Sequence, residues 1–111
     1  MINKENIEKW ASALESGDYE QAYGVLRFDD SYCVWGVACD VSDMGDWVIF
    51  GVTEDNEVMY AYEDTTMHTH KAPHSVSNWL GISPTVRDVI ENKNDSGESF
   101  KDLANYIRKL S

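Results

Sequence analysis

The sequence is poor in positive charge. Its 111 residues carry nine Lys and Arg against twenty Asp and Glu, a net charge of −11. Contact with nucleic-acid phosphates needs a basic footprint, so direct nucleic-acid binding is excluded as the working chemistry. Cysteine is scarce as well. Cys33 and Cys39 are too few for a disulfide framework, and their separation is not the C-x-x-C spacing of redox or zinc motifs. Only two prolines occur, Pro73 and Pro84, and no Gly/Ser tract divides the chain. No apolar run approaches the ~20 residues of a membrane span. Met1 to Lys9 is polar and helix-prone, with no apolar signal core and no lipidation motif. These absences predict a single domain over residues 1–111, in the cytoplasm, with reduced thiols and no membrane contact. No Gly-rich phosphate loop, His-Glu-x-x-His or Gly-x-Ser-x-Gly motif appears, so no cofactor is implied and no catalytic residue is assigned. A hydrophobic content of 42 % is that of a folded domain and not of a disordered chain.

Apolar spacing predicts the elements. Ile7, Trp10, Ala11 and Leu14 form one helical stripe. Asn3 is placed as its N-cap, Ile2 and Ile7 as a hydrophobic staple, and Gly17 as its C′ stop. Phe100, Leu103, Ala104, Ile107 and Leu110 form a second stripe, opened by Ser99 and Asp102 and closed by Arg108 and Lys109. Pro84 suits the first position of a shorter helix with Val86, Val89 and Ile90 buried. Pro73 to Leu80 reads as a helical turn. Trp47 to Val52 and Glu57 to Tyr62 are rich in β-branched and aromatic residues. Thr53 to Asn56 separates them with loop chemistry, which predicts a hairpin. A short strand near Val25 to Phe28 pairs with it. Tyr32 to Val41 fits both a helical stripe and alternation, and its length and small residues favour a buried helix. The expected class is α+β: an antiparallel sheet of two to four strands with helices packed on one face.

The charge is segregated along the chain. Ten acids lie between Asp29 and Asp64, and no Lys or Arg lies in that window. The rest of the chain, with ten acids and nine bases, is nearly neutral. A one-sided negative field steers a basic partner and weakens with salt. The plainer reading is that these are solvated turn residues that keep the protein soluble.

Several motifs run through most of the chain in a distinctive order. They are Trp10-x-x-Ala13-Leu14-x-Ser16-Gly17-x-Tyr19-x-Gln21, Gly24-x-Leu26-Arg27, Tyr32-Cys33-x-x-Gly36-Val37-x-Cys39-Asp40, Val76-x-x-Trp79-Leu80-Gly81, and Asn94-Asp95-x-Gly97-x-Ser99-Phe100-x-x-Leu103-Ala104. The pattern resembles a family of short, uncharacterised bacteriophage and prophage proteins. That family's central motif carries adjacent cysteines and a Leu-Gly-Val core, where Val34 and Trp35 stand here. The resemblance implies a phage or mobile-element setting and transfers no activity.

Two other constellations carry chemistry in principle. His68, His70 and His74 sit close in sequence and are read either as solvated loop residues or as zinc ligands. Cys33 and Cys39 lie in an apolar stretch and are read either as packing or as one half of a Cys–His nucleophile. The leading expectation is a small acidic non-enzymatic binding protein, phage-encoded, that inhibits a host protein with a basic surface, such as a nucleic-acid enzyme. Its electrostatics would come from Asp29, Asp30, Asp43, Asp46, Glu54, Asp55, Glu57, Glu63 and Asp64, with Tyr60 and Tyr62 as anchors. The alternative is a small-ligand binder or hydrolase built on the Cys and His groups.

Overall fold

A computed structural model describes all residues from Met1 to Ser111. The first helix, α1 (Lys4–Glu15), opens as the spacing predicts: the Asn3 side chain accepts from the Asn6 N–H at 3.0 Å. Ile7, Trp10, Ala11 and Leu14 are buried along it. Gly17 follows at φ 82°, the left-handed position that ends a helix. Then come three two-residue strands, β1 (Glu20–Gln21), β2 (Arg27–Phe28) and β3 (Ser31–Tyr32). The ambiguous stretch is a helix, α2 (Val34–Ser42). Every residue from Val34 to Cys39 is buried, so this part of α2 is apolar all round and forms the centre of the core, while Asp40 faces outward.

The long hairpin follows as β4 (Asp46–Val52) and β5 (Val58–Glu63), then β6 (Met67–His68). The chain closes with α3 (His74–Leu80), α4 (Pro84–Asp95) and α5 (Phe100–Arg108). Ser83 caps α4 with Pro84 at its first position, and Ser99 caps α5 by accepting from the Asp102 N–H at 3.1 Å. The inward side of α4 is Val86, Ile90 and Asn94, each one turn from the next, while Val89 is exposed.

The fold is α+β, as expected, but the sheet is larger and less regular. It has six strands in the order β1-β3-β2-β5-β4, with β6 also on β5. It is mixed and not purely antiparallel, because β1 runs parallel to β3. Four of its strands are two residues long, too short to leave a periodic signal in a sequence. The helices do not spread over one face of the sheet. They pack chiefly on one another around α2, and β3 is the strand that meets α2. Gly36 lets α2 lie against the backbone just before β2, since a Cβ there would overlap the Leu26 carbonyl oxygen. Trp10 and Trp35 stack at 4.7 Å in the core and donate to the Val34 and Arg87 carbonyls.

The hairpin stands out from this core as an arm. Between Asp43 and Lys71 only Ala61 and Tyr62 are buried. The molecule extends 42 Å in its longest direction, against 29 and 22 Å in the others.

Candidate functional site

The arm carries the acids, and its register sorts them into two groups. At the base, Asp46 lies directly opposite Glu63 across β4 and β5, with Asp43 just before the strand. At the tip, Glu54, Asp55 and Glu57 occupy the β4–β5 turn. The Asp29 N–H donates to the Val58 carbonyl at 2.6 Å, which places the Asp29-Asp30 turn beside that tip. The seven residues of β4 separate the two groups by about 20 Å. Eight of the ten acids between Asp29 and Asp64 are exposed. None of the ten pairs with a Lys or Arg; the Lys and Arg ion pairs all involve acids elsewhere, Glu8, Glu15, Asp88 and Glu98. Asp29 and Asp43 sit at φ 53° and 56°, where Asn or Gly would serve the backbone equally well.

Asp64 is different from the other candidates. It is largely buried, and its carboxylate accepts from the Ser75 hydroxyl at 2.6 Å and the Thr66 N–H at 3.0 Å, with His68 at 3.1 Å. Burial alone would raise its pKa, but these hydrogen bonds outweigh it and hold the group well below the ordinary carboxylate range. Asp64 therefore ties β5 to β6 and α3 and is not free to meet a partner.

An aromatic row joins arm to body. Tyr19, Tyr32, Trp47 and Tyr62 follow one another edge to face, with centroids 5.0, 5.8 and 4.9 Å apart. Asp40 anchors the row, accepting from the Tyr19 hydroxyl at 2.5 Å and the Trp47 indole N–H at 3.1 Å. Burial first, then this hydrogen bond, pushes the Tyr19 hydroxyl up, so it remains a donor. The guanidinium of Arg27 lies over Tyr60 at 3.8 Å, Tyr32 at 4.9 Å and Trp47 at 5.5 Å. The Arg27 guanidinium is thus held on rings and not on carboxylates.

Of the two expected anchors, Tyr60 is half-buried beneath Arg27. Tyr62 is 1 % exposed and belongs to the core, which corrects its placement on a partner surface. It shares a strand face with Tyr60, but it lies at the root of the arm, where α2 closes over it. Its buried hydroxyl makes no well-formed hydrogen bond, although Ser42 lies close to it.

The exposed apolar residues escape a reading of charge and aromatics. Ile49, Phe50 and Val52 are all more than half exposed on β4, which pairs only with β5. A bulge falls between Ile49 and Gly51, at Phe50. A groove of about 190 Å³ opens beside it, lined by Val25, Phe28, Phe50, Met59 and Tyr60 with Arg27 and Thr69. Its one sequence signal is that Trp47 to Val52 is apolar at every position, as a strand buried on both faces would be.

Both cysteines are buried. Burial pushes the Cys33 thiol up to about 12 and Cys39 well above its ordinary value. Neither presents a thiolate, so the geometry offers no cysteine nucleophile. Cys33 has a structural task instead: its sulfur caps α2 by accepting from the Gly36 N–H at 3.3 Å. His68 lies against Asp64 and Thr66, while His70 meets Thr69. No group of three His, Cys, Asp or Glu is arranged to hold a metal ion.

Fold and surface together define a small mixed-sheet α+β domain with a projecting acidic hairpin. The chain belongs to the family described as Domain of unknown function (DUF8296), whose model matches residues 2–111. No curated protein and no solved structure matches it. No helix is long and apolar enough to cross a membrane.

Proposed function

We propose that this protein is a non-enzymatic, phage-encoded binding protein that uses its acidic arm to occupy a basic surface of a host protein and inhibit it. The observation that carries the reading is the arm's unneutralised charge. No Lys or Arg pairs with any of its carboxylates, and Arg27, on the neighbouring strand β2, is stacked on aromatic rings. A soluble domain gains little from concentrating like charge on one projection, whereas a partner surface of opposite sign gains speed and selectivity of encounter. The motif resemblance supports the phage setting, and with it the host cytoplasm as the place of action.

A nucleic-acid enzyme is the partner class most rich in basic surface. The acids fall in two groups with apolar residues between them, so the arm is suited to a protein contact of mixed character and not to imitation of a continuous phosphate row. Affinity capture from host lysate, with the parent and an Asp43→Asn, Asp46→Asn, Glu54→Gln, Asp55→Asn variant, tests the reading. One partner retained at low salt, released at high salt and lost by the variant supports it. A partner held equally by the variant at both salts overturns it.

A further inference from the structure

We propose that the groove beside Phe50 seats one large apolar side chain of a basic protein segment, whose Lys or Arg residues pair with Asp29, Asp30 and Glu57 at its rim. The inference rests on the acidic-binder reading and adds to it the chemistry of the partner.

Size, rim and charge carry it. The groove measures about 190 Å³. A cavity of about 150 Å³ accepts a benzene ring, so one Phe-sized side chain fits. Its walls at Phe28 and Met59 lead directly in the chain to Asp29 and to Val58-Glu57, and the bond from Asp29 to Val58 draws these acids to one side of the opening. Phe50 is 60 % exposed, an aromatic wall facing water that a partner would cover.

The rim selects the occupant. Arg27, the one charged residue of the lining, is engaged on the Tyr60, Tyr32 and Trp47 rings and by the Asp29 carbonyl, so the free charge beside the opening is that of Asp29, Asp30 and Glu57, which repels anionic lipid headgroups and nucleic-acid phosphates. A second copy of this chain would bring its own net charge of −11 against the same rim. A segment carrying Lys or Arg on both sides of an apolar residue satisfies the groove and the acids together.

Three synthetic peptides test this by NMR titration of the intact labelled protein: Lys-Arg-Phe-Lys-Arg, the same with Ala for Phe, and Glu-Glu-Phe-Glu-Glu. The Phe peptide is expected to shift the resonances of Val25, Phe28, Phe50, Met59 and Thr69. Replacing its Phe by Ala is expected to weaken binding at least tenfold, as is the surface variant Phe50→Ala, and the acidic peptide should not bind. If the Ala peptide binds as tightly as the Phe peptide, with shifts confined to the acidic turns, the groove has no role and the inference is overturned while the acidic-binder reading stands. If neither basic peptide shifts the arm at low salt, both fall.

Discussion

Asp46 and Glu63 face each other across the first rung of the hairpin, two carboxylates with no cation between them. Like charges directly opposite on a sheet are destabilising, by a few tenths to about 1 kcal/mol. Asp46→Lys should therefore raise the melting temperature while weakening capture of a basic partner. A variant that melts higher and binds the partner unchanged would show that this rung costs stability without serving recognition.

Asn94 is expected to be the costliest polar residue to remove. It is 1 % exposed and ties its own helix α4 to residues 21–22 and to the start of α2. Its side-chain oxygen accepts from the Val34 N–H at 3.1 Å and from Gln21 at 2.9 Å, and its amide donates to the Ala22 carbonyl at 3.0 Å and to Asp95 at 3.2 Å. Asn94→Ala leaves buried backbone groups at Val34 and Ala22 unsatisfied. The loss should reach about 3 kcal/mol, read from urea unfolding.

Tyr62→Phe should have the opposite sign from most core changes. The hydroxyl is buried without a partner, so its removal deletes a desolvation cost and leaves the ring in place. Stability should be unchanged or higher, and partner binding unchanged, in a melting experiment paired with the capture assay.

Acid should loosen the contact between the first and last helices. Arg108 bonds Glu8 at 2.8 Å and Glu15 at 2.6 Å. The Arg108 hydrogen bond, helped by Ser12, lowers Glu8 from 4.5 to about 2. A carboxylate lowered in the folded state contributes stability above its ordinary pKa and loses it as pH falls toward the folded value. The stability deficit of Arg108→Ala should thus be full at neutral pH and shrink as pH falls from 4.5 toward about 2. Because Glu8 is exposed, added salt should also shrink it. A deficit that is constant with pH would assign the loss to packing of the arginine stem.

Sequence periodicity carried the long elements well. Helices α1 and α5 were legible because each buries one clean stripe behind a side-chain cap, and the hairpin because two β-rich runs flank a polar turn. Of the small strands β2 was legible, as the short strand near Val25 to Phe28 that pairs with the hairpin; the other three were not, since two residues hold no period. Asn94 hid in a polar helix segment because its partners lie 60 to 73 residues away in the chain. The groove was illegible for the same reason, as its walls come from four separate stretches. Tyr60 and Tyr62, both expected as anchors, lie two residues apart on β5 and share a face. What separates them is distance along the arm, and no local pattern states where a helix stops covering a strand.

Because only Ala61 and Tyr62 of the region from Asp43 to Lys71 are buried, the outer arm and the body answer to different demands. Substitutions from Val48 to Val58 should change the surface of the arm while leaving the packed helices undisturbed. Such a division lets the outer surface vary on a scaffold that does not have to be reinvented.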